Sequence, residues 1–465
     1  MRRAALLAFL LASCSAGRRE EIIPRYAILA TFGPENAMYP SVHWLAERRF
    51  GQIRPFRTEQ LPLVRSWLRD FDPTYVAVVL RPEELDLNFH LAFLDLACRL
   101  DDDPFPDFAF GYLLASNPAD LQRQMKNLQG VETKLEKRLR RFTEFEPGAA
   151  ASTDAIRPIS WTVNLPLRRL AVKEGDAEFL RKNLDAVERA GFLLLSGKGW
   201  PEGIRGLPAS EIHRFKLDST VVFSAVDYSG AAGAGFDQEG GFVRRWTVPP
   251  DRSVPLALVR SGAAAQFAPL GKTRPEAAEF EWTDAVLSDG PLGGVMKHAY
   301  DRAILRAGGP PSPPGLVEAR RPSVDLEDPL LLAAGRVLLG DPSLHPYTCP
   351  VRRPIEHVRT APAGRTPEGD LVLETGWRVA AYDCEPFFRD PEGGQRIHLR
   401  IPLPPGTRRA RAELSQCRSR DQDVPAAIAA QAFETWRGEP LLHVLLRGPA
   451  LAVEDLFVHL RIAHR

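Results

Sequence analysis

Two segments of this sequence carry polar residues where an apolar, β-prone run ends in a glycine-bounded turn. FLLLSGKGW places Lys198 between Gly197 and Gly199, and VVFSAVDYSG places Asp227 ahead of Tyr228, Ser229 and Gly230. Acyl transfer by a side-chain nucleophile needs such a layout: a nucleophile at a strand end, a base within hydrogen-bond reach, and backbone N–H groups for the oxyanion. The residue types do not fit the task. A lysine keeps its proton near neutral pH unless strongly desolvated, and an aspartate is a weak acyl nucleophile. If buried, two opposite charges are neutral together, where one buried charge alone would cost several kcal/mol. The other reading leaves both as ordinary loop charges in solvent.

Other reactive types are scattered. His213 lies upstream of the second run and could serve as a displaced base for Ser196, Ser224 or Ser229, but no nucleophile-elbow or triad spacing supports it. His43 and His90 lie on amphipathic segments and read as structural, as Cys98 does. Asp101, Asp102 and Asp103 could contribute to a hard-cation site or form a solvated acidic turn, so calcium is considered and no other cofactor is expected.

The elements that must position these residues alternate between short β-branched runs and amphipathic segments, the signature of an α/β layer with a parallel sheet. Strands are expected at Tyr26 to Thr31, Tyr75 to Leu80, Gly191 to Ser196, Thr220 to Ala225 and Ala263 to Ala268. Helices are expected at Ser41 to Arg49, Leu61 to Asp70, Leu85 to Leu100, Ala177 to Arg189, Pro255 to Arg260 and Pro291 to Arg306. A further helix from Pro118 to Arg141 opens after Asn117 as N-cap, with proline at its first position. Pro147 to Ala151 reads as a subdomain joint, Gly230 to Gly241 as a mobile loop, and GGPPSPPG as a linker. Ligands of open parallel sheets bind beyond the carboxyl ends of the strands, so the segments holding Lys198 and Asp227 are where a site belongs. From Gly369 onward, short alternating runs separated by Gly and Pro turns indicate a C-terminal β-sandwich.

The first residues, MRRAALLAFLLASCSAG, combine a basic pair, a short apolar run and small residues in the plan of a secretory signal. Leu11, Ala12 and Ser13 lead into Cys14 and resemble the lipobox of bacterial lipoproteins, which makes Cys14 the lipidation site; an ordinary cleaved signal is the alternative. Ser15, where an inner-membrane retention signal would have aspartate, favours the outer membrane. No later run is apolar enough to cross a bilayer as a helix. Export permits disulfides among Cys98, Cys349, Cys384 and Cys417, with a bridge inside the C-terminal domain expected. A net charge of +1 over 465 residues gives no field for nucleic acid, and Lys134 to Arg141 reads as a solvated helix face. The expected partners are a lipid anchor and an envelope protein or peptide.

Taken in order, these segments resemble the gingipain family of caspase-like cysteine peptidases. DFDPTYVAVVL is similar to the strand ending the family's first subdomain, and PFPDFAFGYLLA to its D-x-x-Y-G segment with Phe110 for tyrosine. FLLLSGKGW stands in the place of the strand followed by G-H-G, VVFSAVDYSG in that of the strand followed by cysteine, and VRSGAAAQFAPL, the PLGG helix and GDPSL follow in family order. The resemblance covers Arg25 to Tyr347. It implies a caspase-like parallel-sheet α/β body of two subdomains followed by the β-sandwich, divided as 1–17 (signal and anchor), 22–148, 152–348 and 365–465. It also implies that Lys198 replaces the catalytic histidine and Asp227 the cysteine, or Val226 if the register shifts by one, so that a Lys198–Asp227 ion pair would stand where the family has thiolate and imidazolium. Gly197, Gly199 and Gly230 would be the turn and oxyanion positions. Asp107 would match the acidic residue that orients the histidine, and without that histidine would cap a turn or contact Lys198. The function implied is non-catalytic binding or scaffolding in the envelope. The rivals are a hydrolase with a displaced nucleophile, and glycan or peptide binding by the sandwich through exposed Trp377 or Trp436.

Overall fold

The computed structural model describes residues 24–133, 141–158, 166–200, 202–217, 219–239, 242–273, 278, 281–282, 284–285, 290–310, 329–346, 355–379, 395–419, 422–449, 451 and 456–465. The expected fold class holds: a largely parallel α/β body is followed by a C-terminal β-sandwich.

The first half of the body contributes β1 (Tyr26–Ala30), α1 (Tyr39–Arg49), β2 (Gln52–Pro55), α2 (Leu61–Phe71), β3 (Tyr75–Leu80), α3 (Leu87–Ala97), β4 (Ala109–Leu114) and α4 (Pro118–Thr133). β1, β3 and β4 are buried along their whole length, as their continuous apolar runs require of strands covered on both faces. Asn117 caps α4 as expected, its Oδ1 accepting the Asp120 N–H at 3.0 Å.

The second half contributes β5 (Phe142–Ala149), β6 (Thr153–Pro158), β7 (Pro166–Lys173), α5 (Ala177–Glu188), β8 (Phe192–Leu195) and a small three-stranded sheet of β9 (Gly199–Trp200), β10 (Gly203–Ile204) and β11 (Leu207–Pro208). Then come α6 (Ala209–Ile212), β12 (Thr220–Ser224), a hairpin of β13 (Ala234–Glu239) and β14 (Phe242–Thr247), α7 (Val254–Ser261), β15 (Ala263–Pro269), α8 (Leu292–Ala307), α9 (Pro329–Ala334) and β16 (Arg336–Leu339).

Both halves share one sheet of order β2-β1-β3-β4-β16-β15-β12-β8-β5-β7-β6. β16 runs parallel to β4 but antiparallel to β15, so the two halves point in opposite directions. The amino ends of β1, β3 and β4 therefore share an edge with the carboxyl ends of β15, β12 and β8.

Three expectations are corrected. The helix opening at Pro118 does not reach Arg141, because the Arg141 carbonyl accepts the N–H groups of Gly191 and Phe192 as the chain enters β5; residues 134–140 lie outside the described set. Pro147 to Ala151 is not a joint, since β5 runs through Ala149 and pairs with both β7 and β8. Gly230 to Gly241 is not a loop throughout: its second part is β13, where Gly235 faces Trp246 across the hairpin. A Cβ on Gly235 would lie 2.2 Å from the indole, so the glycine is there to admit the ring.

The sandwich packs the sheet β17 (Ile355–Arg365), β18 (Leu371–Val379), β24 (Leu456–His464), β20 (Ala410–Ser419), β21 (Gln422–Asp423) on the sheet β19 (Gln395–Pro402), β23 (Glu439–Gly448), β22 (Ala427–Trp436). Its own core holds Trp377, Leu399, Val444 and Val458. β17 begins ten residues before the boundary expected at 365. Cys98 and Cys417 are buried free thiols, while Cys14, Cys349 and Cys384 lie outside the described residues.

Candidate functional site

β8 and β12 are adjacent and parallel, with Ser224 opposite Leu195, so the segments carrying Lys198 and Asp227 leave the sheet side by side. They touch through their backbones. A Cβ on Gly199 would fall 2.2 Å from Val226 Cγ1 and 2.7 Å from the Asp227 carbonyl oxygen, and only glycine fits this approach. Gly197 has φ +126°, a conformation that also demands glycine, and Gly230 lies against the Ala268 and Pro269 carbonyls.

The side chains do not meet as expected. Lys198 is exposed and its ammonium makes no ion pair or hydrogen bond among the described residues. Asp227 turns elsewhere: its Oδ1 accepts the Thr273 N–H at 2.8 Å. The expected Lys198–Asp227 ion pair is thus not formed, because the close contact is made by Gly199 and backbone, and the Asp227 carboxylate is drawn to the loop after β15.

The turn after β12 is closed upon itself. The N–H groups of Tyr228, Ser229, Gly230 and Ala231 all donate to backbone carbonyls, those of Gly271, Val226, Pro269 and Tyr228 respectively. Ser224 and Ser229 are buried, their hydroxyls 2.7 Å apart, and Ser229 Oγ lies 2.8 Å from the Val226 carbonyl oxygen. The Tyr228 hydroxyl donates to Asp237 at 2.8 Å and its ring packs edge-on to Trp246. No N–H of this run is left pointing at a place where an oxyanion would form, and neither serine is presented to solvent.

Beneath the turn sits a feature the sequence reading missed. Arg336, 1% exposed, forks onto Glu281 with contacts of 2.6 and 2.7 Å and donates to Thr273 Oγ1 at 2.9 Å and to the Ser224 carbonyl at 3.0 Å. Arg336 thereby ties β12, the loop holding Thr273 and the β16 start into one block. The signal was present as a lone arginine inside the apolar run LLLAAGRVLL.

The remaining candidates are dispersed. His213 is exposed on the turn after α6. His90 is wholly buried between the Tyr112 hydroxyl and the Ala334 carbonyl, and burial lowers it to about 4. Asp107 stands at the amino end of β4, on the shared edge but four strands from β8, which at about 4.8 Å per strand is roughly 19 Å. It caps a turn by accepting the Leu100 N–H at 3.1 Å. Burial, with Asp101 and Asp103 nearby, raises it to about 8. Asp103 in turn accepts N–H groups from Phe105 and, across to the sandwich, Thr435. Neither tryptophan proposed for the sandwich is exposed: Trp377 belongs to its core, and Trp436 is half-buried under the Lys297 ammonium, 4.4 Å from its ring centre.

Asp301, Glu434 and His443 form the group of potential metal ligands among the described residues, with ligand atoms within 4.8 Å of one another. A cation already stands there, since Lys297 Nζ lies 2.8 Å from Asp301 and 2.5 Å from Glu434.

No family model matches this chain, and no curated protein sequence matches it. Several solved structures are similar to it, among them the following three. The complex of the Porphyromonas gingivalis RgpB pro- and mature domains has a TM-score of 0.46 at 11% identity, covering 90% of this chain and 93% of that one. The Arg-specific cysteine proteinase gingipain R has a TM-score of 0.45 at 11% identity, covering 90% and 91%. A structure described only as a protease has 0.45 at 10% identity, covering 91% of each.

Proposed function

We propose that this chain is a non-catalytic binding or scaffolding protein of the cell envelope, held by lipid on Cys14, with a gingipain-like scaffold whose catalytic positions read Lys198 and Asp227. The observation that carries the reading is the closed turn after β12. The N–H groups of Tyr228, Ser229, Gly230 and Ala231 donate to backbone carbonyls, Ser224 and Ser229 bond to each other, Asp227 bonds to Thr273, and the exposed Lys198 lies where acyl transfer would need a base. The order of motifs supports the scaffold, and the lipobox-like LASC supports export to the outer membrane.

What remains at this edge is a surface. Lys198 is exposed and Trp200 is 45% exposed two residues on, so a cation and an aromatic face stand together on β9 and its approach. A peptide or protein segment carrying a carboxylate beside an apolar group fits that chemistry. The test places a photo-crosslinking residue at position 200 and, as control, at Ile156 on the edge strand β6, in the full chain within its native envelope. Capture of a defined peptide or protein from position 200 alone is expected. Identical products from both positions would remove the assignment of this rim.

A further inference from the structure

The joint between body and sandwich is built from buried titratable groups. From the body come Phe105 and, on α8, Lys297, His298, Asp301 and Arg302. From the sandwich come His398 and Arg400 on β19, Glu434 and Trp436 on β22, and His443 on β23. Lys297 bonds across the joint to Glu434, Phe105 stacks on His443 with ring centres 4.2 Å apart, and the His298 and His398 rings stand 5.3 Å apart. Arg400 approaches Asp301 at 3.9 Å.

An ionised Glu434 only accepts, so His443 Nε2, 2.6 Å away, must donate. The other ring nitrogen of His443, Nδ1, shares a hydrogen bond with His398 Nε2, 3.0 Å away. This leaves His398 Nδ1 bare, and that atom is buried with no hydrogen-bond partner. Protonating His398 leaves that atom without an acceptor and sets a second charge beside His298, Arg302 and Arg400.

We propose that this joint is an acid-operated latch: neutral His298 and His398 hold the sandwich on the body, and their protonation frees it as an intact module. Burial lowers His298 and His398 below their ordinary value; for His298 it outweighs Asp284, and for His398 the cations add to it. Once separated, each imidazole titrates near 6.5. The open form therefore binds more protons, and closure is fully favoured above about pH 6.5 and weakens as pH falls below it.

Glu434 does not titrate in that window. Burial alone would raise it, but Lys297 and His443 prevail and hold it at about 2. The Lys297–Glu434 pair offers little resistance to opening, because both charges return to water together and neither is stranded. Each side has a core of its own, one around Phe93, Phe110 and Tyr300 and one around Leu399, Val444 and Val458, and Leu445, Ala430, Ala432 and Trp436 of the sandwich also pack on the body core, an apolar contact that opening must break.

The experiment is small-angle scattering with far-UV circular dichroism on the full chain, from about pH 8 to about pH 4. The radius of gyration is expected to rise below about pH 6 while the dichroism stays constant. His398→Gln keeps a hydrogen-bonding group for His443 but takes up no proton, and should move the midpoint down by about one pH unit or abolish it. If that variant does not fold at neutral pH, His298→Gln is measured in its place with the same expectation. Constant dimensions, expansion with parallel loss of dichroism, or an unshifted midpoint in the folded variant would each overturn the latch.

Discussion

Replacing Arg336 by alanine removes the guanidinium that joins β12, the Thr273 loop and β16. It strands the Glu281 carboxylate, which is 2% exposed, and leaves the Ser224 carbonyl short of a donor. Breaking a buried pair from one side costs about 3–5 kcal/mol, and an unsatisfied buried carbonyl adds about 1 kcal/mol or more. The contributions overlap, so about 4–6 kcal/mol is expected in all. With an unfolding entropy of about 2.1 cal/mol/K per residue and a body of about 320 residues, Tm should fall by roughly 6–9 °C. Arg336→Met combined with Glu281→Leu removes both charges and should recover most of that loss. Differential scanning calorimetry at neutral pH makes the comparison, with hydrogen exchange at Thr273 as a local readout, since its N–H bonds to Asp227. A single variant within about 2 °C of the natural protein would refute the claim that Arg336 supports the turn.

Asp107→Asn should stabilise the protein, because the amide mimics the neutral acid and still accepts from Leu100. Since burial and its acidic neighbours raise Asp107 to about 8, folding is penalised increasingly as pH rises from the ordinary carboxyl range toward that value, and the penalty levels off above it. The gain in Tm should therefore be larger near pH 8 than near pH 5, and a gain independent of pH would count against the raised carboxyl. Gly199→Ala forces its Cβ onto Val226 and the Asp227 backbone and should cost about 1–3 kcal/mol, read by chemical denaturation. Cys98 and Cys417 are buried, and burial raises their thiols, Cys417 to about 11. Neither should be alkylated in the native state near neutral pH, while both react after denaturation; native labelling followed by peptide mapping checks this.

The sheet was largely legible in the sequence because its central strands are continuous apolar runs bounded by turn residues. Tyr75–Leu80 falls where expected to the residue. β5 escaped because FTEFEPGA mixes glutamates with phenylalanines and reads as the tail of the preceding Arg-rich segment, although it is an interior strand paired with both β8 and β7. β22 escaped because alanines and a glutamate disguise a strand packed against α8, with Glu434 buried by its pairing to Lys297. At the candidate site, strand ends and glycines could be read from local pattern, and the structure brings Gly199 against Asp227. The partners of those residues could not. Thr273 and Arg336 lie 46 and 109 residues beyond Asp227, and no spacing rule relates a carboxylate to an amide contributed by a distant loop. The buried histidines left a fainter trace: His443 interrupts the apolar LLHVLL, where a solvent-facing residue would not be expected.

The most direct measurement of the central claim is incubation of the purified chain beyond Cys14 with a mixed peptide library, with and without calcium, read by mass spectrometry. The account predicts no cleavage above a buffer control in either condition, because in the turn after β12 both serines are buried and the N–H groups of Tyr228 to Ala231 already donate to backbone carbonyls. Cleavage by the natural chain that disappears in Asp227→Ala would contradict it and make Asp227 the nucleophile or base of a working hydrolase.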